Sequence, residues 1–403
     1  MRGPDAPEAH AAALAGLAGM TPVRLALLID GFAPVTAWRA LRAGTHPGDP
    51  RRRFLLDARR TDVEGVARRY AAAGVTVALP GGRGYPGMLT GDPGAPAVLF
   101  ALGDPTVLDR GPRVAVVGTR SATPYGRQVA SELASDLATE GVTIVSGLAR
   151  GIDAAAHAGV VRVADDRDVA PPVAVVGTGL DEVYPASSKD LWAEVAGRGA
   201  VLSESPLGTR ALPRVFPARN RIIAALSDVV VVVESHYRGG SLYTAEAAAR
   251  RSIPVCAVPG SVKSASSSGT NALLVDGCIP VRDAADVLVA LALARAGCDG
   301  PLRQPGPHGP CGRRGNPSDP GDPSDPPGGV PGGGPDPAVD TDGLSAPERS
   351  VLQAMDDTPL AFETILLRTD LSIDAAARAC DELVRRGCVV SGPGWWCRSR
   401  FDG

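Results

Sequence analysis

The apolar positions of residues 113–258 fall into short continuous runs, and glycine or serine follows most of these runs. Six runs rich in β-branched residues have this form, namely 114–117, 142–145, 173–176, 200–202, 229–233 and 255–258. Such runs are typical of strands that are buried on both faces. Alanine-rich segments such as 126–139 and 245–250 alternate with them and predict helices. The alternation predicts an extended Rossmann-like α/β fold, with a doubly wound and mostly parallel sheet.

The two ends of the chain have a different pattern. Residues 9–43 carry apolar side chains at helical spacing with a break at Gly31, which predicts a small helix–hairpin–helix or SAM-like domain over residues 1–80. Near the other end, Ser345 and Glu348 have the spacing of a capping box. Two more helical segments and a hairpin that ends at Cys397 follow. Three helices and a hairpin predict a winged helix over residues 345–403.

A segment poor in apolar residues separates the winged helix from the rest. Residues 300–337 include 12 Pro and 11 Gly. A segment of this composition cannot bury enough apolar surface to fold, so residues 298–344 are predicted to form a flexible linker. Residues 81–297 then remain as the Rossmann-like core.

Composition limits the classes of function. A net charge of -3 gives no general basic character, so any nucleic-acid site must be local. The seven cysteines form no CxxC pair, which argues against a disulfide framework and a zinc site. No apolar stretch reaches the length of a membrane span, and acidic residues precede the first apolar run, so no signal peptide is expected. We expect a cytoplasmic protein without metal or membrane contact.

The loops that follow the predicted strands are the first candidate site. Ligands of a doubly wound sheet lie beyond the carboxyl ends of its strands, where small residues let backbone N–H groups approach an anion. The candidate residues in these loops are Gly118, Thr119, Arg120, Ser121, Ser146, Gly147, Arg150, Gly151, Gly239, Gly240 and Ser241. The dinucleotide fingerprint and the Walker A lysine are both missing, so no nucleotide cofactor is predicted.

An arginine run forms the second candidate. Arg210, Arg214, Arg219 and Arg221 lie in a stretch with no acid between positions 205 and 227. The last two fall where a helix begins, and cations there oppose the helix dipole unless an anion faces them. Phe216 adds an aromatic ring, and stacking combined with phosphate contact is how proteins bind single-stranded nucleic acid. A solvated basic turn with Phe216 in the core explains the spacing equally well.

Catalytic residues are not predicted. Ser203 and Ser205 have no obvious histidine partner. His157 is expected to be a packed or capping histidine, and Asp153 a helix cap. The sequence therefore favours a binding protein over an enzyme.

A series of motifs resembles the DNA-processing protein A (DprA/Smf) family over roughly residues 85–288. The motifs include segments 116–120, 146–153, 177–185, 203–206, 216–221, 240–245 and 258–261. The resemblance implies a non-catalytic, sequence-tolerant single-stranded-DNA-binding protein that forms homodimers. It also implies that the protein protects the strand and helps to load the RecA recombinase in transformation or recombination.

The resemblance assigns roles to residues and also shows a departure. Arg120 is implied to hold a phosphate and Phe216 to stack on a base, while Arg219, Asn220 and Arg221 shape the same pocket. Relatives often carry a lysine three residues before the phenylalanine, where this chain has Pro213. Arg214 is then an imperfect substitute, which affects the expected affinity more than the function.

Two other classes of function compete with this interpretation. Phosphoribohydrolases of the Lonely Guy type share such a sheet and carry a P-G-G-x-G-T-x-x-E motif. Here the loop has Leu242 where that motif needs glycine, while Glu246 falls at the position of its acid. A pure interaction scaffold leaves the arginine run unexplained. For the tail, whose 7 arginines face 9 acids, we expect a protein-interaction or regulatory role.

Overall fold

The computed structural model describes residues 6–164, 169–212, 215–298, 344–355, 360–369, 371–386, 388–392 and 395–398. The chain divides into two compact units, residues 1–304 and 305–403, and each is described by itself. Except for Cys298 and Leu344 at its ends, the predicted linker lies outside the described residues, as does Arg214.

The first unit begins with five helices, α1 (Pro7–Ala15), α2 (Pro22–Ile29), α3 (Pro34–Ala43), α4 (Leu55–Arg60) and α5 (Val63–Ala72). The first three have proline in the first turn, where the missing N–H has no intrahelical partner to lose. Trp38 of α3 and Tyr70 of α5 belong to the same apolar cluster as Phe100, which lies in the sheet. The helices are thereby packed onto one face of that sheet.

The sheet has nine described strands, β1 (Val75–Ala78), β2 (Leu99–Gly103), β3 (Arg113–Val117), β4 (Thr143–Ser146), β5 (Val173–Val176), β6 (Ala200–Ser203), β7 (Val229–Val232), β8 (Val255–Ala257) and β9 (Ile279–Pro280). Their order is β1-β2-β6-β5-β4-β3-β7-β8-β9. β2 runs antiparallel to both neighbours, and the other pairs are parallel. The winding reverses between β3 and β7, so the topological switch point lies there.

Helices cover both faces of the sheet. They are α6 (Pro124–Thr139), α7 (Ile152–Ala164), α8 (Lys189–Arg198), α9 (Val215–Ala225), α10 (Leu242–Ala249), α11 (Ser268–Val275) and α12 (Ala284–Cys298). Successive residues of β3 alternate between two core clusters, since Ala115 packs with α9 and α10 and Val116 packs with α6, α7 and α12. The predicted doubly wound, mostly parallel α/β fold is confirmed.

The predicted domain boundaries at residues 80, 297 and 344 remain a prediction. β1 lies before residue 80 and pairs with β2 after it, with Val75 opposite Leu102 and Ala78 opposite Leu99. The N-terminal helices and the sheet are therefore joined by strand pairing as well as by their shared apolar cluster.

The second unit consists of α13 (Ala346–Ala354), β10 (Leu360–Ala361), α14 (Phe362–Arg368), α15 (Ile373–Arg385), β11 (Val389–Gly392) and β12 (Trp395–Arg398). The three strands form an antiparallel sheet in the order β10-β12-β11. Ser345 and Glu348 form both hydrogen bonds of the predicted capping box. Three helices with this small sheet are the arrangement of a winged helix, as predicted.

None of the helices in the described residues combines the length and the apolar character that crossing a bilayer requires.

Candidate nucleic-acid interface

A cleft opens at the carboxyl ends of β4 and β5, the edge of the sheet at which the sequence predicts a ligand. The loop after β3, the loops after β4 and β5, and the start of α9 form its walls. Residues that line it include Arg120, Gly147, Arg150, Gly177, Tyr184 and Phe216. Four of these six belong to the predicted set, and the other two come from the loop after β5.

Three side chains are stacked in this cleft. The guanidinium carbon of Arg120 lies 4.4 Å from the ring centroid of Phe216, a distance at which a cation is attracted to an aromatic face. The ring of Tyr184 lies on Phe216 with a centroid separation of 5.5 Å and an angle of 38°. Tyr184 is 45% exposed, so an aromatic surface remains accessible beside an exposed arginine.

Tyr184 is missing from the predicted site residues. In the sequence it appears only within the segment 177–185 that resembles the family, and its spacing from the arginine run gives no sign that it meets Phe216. The two residues come together because the loop after β5 and the start of α9 lie at the same edge of the sheet. Their contact is tertiary, and local patterns do not report it.

Glycines shape the wall of the cleft through close approach. Gly151 has φ +86°, a left-handed conformation that glycine adopts readily, and a side chain there would overlap the carbonyl oxygen of Thr119. A side chain at Gly147 would overlap the guanidinium of Arg219 and the carboxylate of Asp153. The loop after β4 can therefore lie against its neighbours only with glycine at both positions.

Arg219 points into the protein instead of into the cleft. It is 4% exposed, and its guanidinium donates hydrogen bonds to the carbonyl oxygens of Gly147, at 2.7 Å, and of Val175. Its Nε donates to the side chain of Asn220, whose amide in turn donates to the carbonyl oxygen of Gly240 at 3.1 Å. These two adjacent residues thus connect the loop after β4, the strand β5 and the loop after β7. Burial lowers the pKa of Arg219 to about 10, so it stays charged at neutral pH.

Two buried titratable groups lie behind the cleft on α7. Burial raises the pKa of the Asp153 carboxyl to about 6, although the positive charge of Arg219 acts in the opposite direction. Burial lowers the pKa of His157 to about 3, although the backbone of Ser146 acts in the opposite direction. His157 is fully buried, which agrees with the expectation of a packed histidine.

Arg221 has an acidic partner that the sequence analysis did not include. Its guanidinium donates two hydrogen bonds to the Glu204 carboxylate, at 2.7 and 2.6 Å. Glu204 is the residue just before the acid-free stretch that begins at position 205, so Arg221 has an acidic partner in the fold although none lies within that stretch. The bidentate geometry and the burial of Glu204 make this a structural ion pair.

The other predicted residues fall into an exposed group, a buried group and a partly buried group. Arg120, Ser121, Arg150 and Gly240 are exposed. Ser146 is fully buried and donates to the carbonyl oxygen of Val116 at 2.6 Å. Buried as well are Thr119, which accepts from the backbone of Ser121, and Ser241, whose hydroxyl bonds to Ser235 at 2.9 Å. Gly118 and Gly239 are partly buried. DNA contact by any member of the set remains a prediction.

Glu234 joins the two loops at the switch point and is another residue that the sequence analysis missed. Its carboxylate accepts from the backbone N–H and the hydroxyl of Thr123, at 2.9 and 2.6 Å. Its carbonyl oxygen accepts from the backbone N–H of Thr119 at 2.7 Å. This acid is buried, so it holds the loop after β3 against the loop after β7 and adds little negative charge to the surface.

The fold and the site together define a class of protein. The sheet is Rossmann-like, and its ligand edge carries a cleft that combines aromatic rings, exposed arginines and tightly held backbone loops. Among the described residues, no group of three or more His, Cys, Asp or Glu could hold a metal ion. The class is that of Rossmann-like proteins whose ligand edge carries a cleft of aromatic and cationic side chains.

Comparison with known proteins identifies the family within this class. The family model of the DNA recombination-mediator protein A matches residues 76–292, and that of the DprA winged helix domain matches residues 335–394. The chain belongs to the DprA family, as the resemblance implied.

Individual relatives agree with this assignment. The DNA processing protein DprA of Bacillus subtilis is 36% identical over 226 residues, which are 56% of this chain and 74% of the relative. The putative DNA processing protein DprA of Mycobacterium tuberculosis is 43% identical over 195 residues, about half of each chain. The X-ray structure of DprA from Streptococcus pneumoniae is similar with a TM-score of 0.61 at 31% identity and covers 72% of this chain and 98% of its own.

Proposed function

We propose that the cleft binds single-stranded DNA with little sequence preference and that the protein uses this binding to process DNA without catalysing a reaction. In this proposal it is a cytoplasmic protein that protects incoming or exposed single strands and helps to load the RecA recombinase on them in transformation or recombination. The observation that carries the proposal is the stack of Arg120, Phe216 and Tyr184 at the ligand edge of the sheet. Membership of a family of DNA recombination mediators supports the same conclusion.

The stack favours single strands over duplex DNA. An aromatic ring can stack on a base only when that face of the base is free, as it is in a single strand. Stacking tolerates every base, since each has a flat π face, so little sequence preference is expected. Exposed Arg120 and Arg150 can bind phosphates beside the ring. The hydroxyl of Thr178, which also lines the cleft, already donates to the carbonyl oxygen of Glu182.

Hydrogen bonding of the candidate nucleophiles supports a binding protein more than an enzyme. The hydroxyls of Ser203 and Ser205 are buried and donate to the carbonyl oxygens of Thr178 and Gly177, at 2.7 and 2.8 Å. Glu246, the acid that a phosphoribohydrolase would need, forms an ion pair with Arg250, the residue that follows its helix. These contacts give the rival enzymatic hypothesis no support.

The proposal includes a homodimer of the core. On α12, Val287 and Leu291 face the protein interior, whereas Val289 and Leu293 lie one turn apart on the opposite side and are both exposed, Leu293 by 66%. An exposed apolar pair on a helix suits contact with a second copy. Leu293→Glu should convert a dimer into a monomer when the molar mass is measured by light scattering, and an unchanged mass would remove this helix from the interface.

Fluorescence anisotropy with a labelled 20-nucleotide dT strand and a duplex of equal length tests the DNA proposal. The single strand should bind more tightly, and log K should fall with log salt by about 0.7 for each phosphate neutralised. Arg120→Ala should lower this slope. Arg162→Ala is the matched control, because exposed Arg162 lies in the last turn of α7, at the end away from the cleft. Equal affinity for both DNAs, or no salt dependence, would overturn the proposal.

RecA filament formation on single strands, with and without the protein, tests the loading step.

A further inference from the structure

The loop after β7, residues 234–241, extends the ligand edge beyond the cleft to the switch point. A hydrogen bond within the loop fixes its backbone, since the N–H of Gly239 donates to the carbonyl oxygen of His236 at 2.9 Å. A second hydrogen bond comes from α11, where the N–H of Gly269 donates to the carbonyl oxygen of Ser235 at 2.7 Å. A loop fixed in this way presents its outer side chains at defined positions.

The outer side of this loop carries a ring and a cation. Tyr237 is 69% exposed, and the neighbouring side chains of His236 and Arg238 are exposed too. Nothing in the packing of the core requires an aromatic residue at this position. Tyr237 and Arg238 provide the same two groups as Phe216 and Arg120, a ring for stacking and a guanidinium for phosphate.

The loop is connected to both walls of the cleft. On one side, the side-chain amide of Asn220 donates to the carbonyl oxygen of Gly240 at 3.1 Å, four residues along α9 from Phe216. On the other side, the backbone N–H of Thr119, next to Arg120, donates to the carbonyl oxygen of Glu234 at 2.7 Å. The loop is thus in direct contact with the segments that carry Phe216 and Arg120.

The distribution of charge along the ligand edge of the sheet favours a phosphate backbone that runs from the cleft toward the loop after β7. The loops 118–123 and 234–241, which the structure describes in full, contain one acidic residue, Glu234. Its carboxylate is buried and accepts two hydrogen bonds from Thr123. At the Tyr184 end of the cleft, Asp181 and Glu182 are both exposed, and Asp181 pairs with Arg69. A phosphate backbone that leaves the cleft therefore meets less repulsion on the side of β7.

We propose that Tyr237 and Arg238 form a second nucleotide subsite, in which the ring stacks on a base and the guanidinium binds its phosphate. The occupant is the part of a single DNA strand that continues from the cleft across the switch point. The inference rests on the proposed function, since it requires that the first part of the strand lies in the cleft.

Oligonucleotide length separates the two subsites. With the full-length protein, binding of dT strands of 5 and 20 nucleotides is measured by anisotropy for the unchanged chain and for Tyr237→Ala, Tyr237→Phe and Phe216→Ala. Tyr237→Ala should weaken the 20-nucleotide strand by about 5- to 150-fold, which corresponds to one lost stacking contact, and leave the 5-nucleotide strand unchanged. Tyr237→Phe keeps the ring and should keep the affinity. Phe216→Ala should weaken both lengths.

The cation is tested by salt dependence. Arg238→Ala should lower the slope of log K against log salt by about 0.7 for the 20-nucleotide strand and not for the short one. Arg162→Ala again controls for the loss of one exposed positive charge.

Other outcomes would overturn the inference in distinguishable ways. If Tyr237→Ala changes neither length while Phe216→Ala weakens both, the second subsite does not exist and the proposed function stands. If Tyr237→Ala weakens both lengths equally, the ring belongs to the cleft itself. If the unchanged protein binds neither strand, the proposed function fails as well.

Discussion

The guanidinium of Arg219 donates a hydrogen bond to the carbonyl oxygen of Gly147 across 2.7 Å, although the two residues are 72 positions apart in the chain. The same guanidinium also donates to the carbonyl oxygen of Val175. The loop after β4, which lines the cleft, is therefore fixed to the end of β5 by a buried side chain before any ligand arrives. Such preorganisation lowers the cost of ordering the site on binding.

Arg219→Ala should destabilise the fold. The change leaves two buried carbonyl oxygens without their donor and removes the positive charge near Asp153, so we expect the free energy of unfolding to fall by about 3–5 kcal/mol. Urea unfolding measures this. Arg120→Ala is the control, because an exposed arginine should cost less than about 0.5 kcal/mol.

Arg219→Lys tests whether Arg219 positions the loops or contacts DNA. Lysine keeps the charge and cannot reproduce the fork of donors, so affinity for single strands should fall while the salt slope stays unchanged. Unchanged affinity would contradict the positioning role, because a phosphate contact needs mainly the positive charge that lysine keeps.

Phe216→Ala should separate stacking from charge. Removal of the ring should cost about 1–3 kcal/mol of binding free energy and leave the salt slope nearly intact. Anisotropy titrations at several salt concentrations give both quantities. Circular dichroism of the variant is needed beside them, because a loss of structure would mean that Phe216 acts mainly as a core residue.

His157 should make the protein less stable in acid. In the unfolded chain its imidazole binds a proton near pH 6.5, whereas the buried ring does so only near pH 3. The unfolded state holds more protons in between, so the free energy of unfolding falls as the pH drops through this window. Urea unfolding between pH 4.5 and about 7.5 should show a weaker pH dependence for His157→Leu. An unchanged dependence would mean that other groups cause the acid sensitivity.

Asp153 should act in the opposite direction. Its pKa is about 6 in the fold and about 3.9 in an unfolded chain, so the folded state holds the extra proton between these values. This carboxyl stabilises the fold below about pH 4, and that contribution is lost as the pH rises to about 6. Asp153→Asn removes the opposing contribution, so its stability should fall more steeply on acidification than that of the unchanged protein. The same titration measures it.

The winged helix should contribute little to single-strand affinity. On α15, the helix that usually reads a DNA groove, Arg385 and Arg386 both pair with Glu382. A chain that ends at Gln304, the last residue of the first compact unit, should bind single strands within about threefold of the full chain, below roughly 0.7 kcal/mol. A larger loss in anisotropy, or duplex binding by residues 305–403 alone, would contradict the charge argument.

The strands of the parallel core were predictable because the local sequence of each one strongly favours a buried strand. The run of four valines that forms β7, for example, has few alternatives to a strand buried on both faces. β1 and β2 were not predicted. β1 has four residues at the edge of the sheet with Thr76 exposed, and such a short segment becomes a strand through its pairing with β2.

The site was predictable in its position and less so in its detail. The glycine loops and Phe216 could be placed at one edge of the sheet because parallel strands all end there. The inward direction of Arg219 could not be predicted, since its partners lie 72 and 44 positions away and arginine is rarely buried. The same applies to Glu204, whose pairing with Arg221 is tertiary.

Gly240 offers a place for an optical reporter. An added side chain there would meet no atom within 4 Å, whereas one at Gly239 would overlap the hydroxyl of Ser235. Asn220 binds the carbonyl oxygen of Gly240, which a substitution of the side chain leaves in place. A fluorophore attached to Gly240→Cys would lie between the cleft and Tyr237, where its emission could follow the arrival of a strand in real time while every side chain of the site is retained.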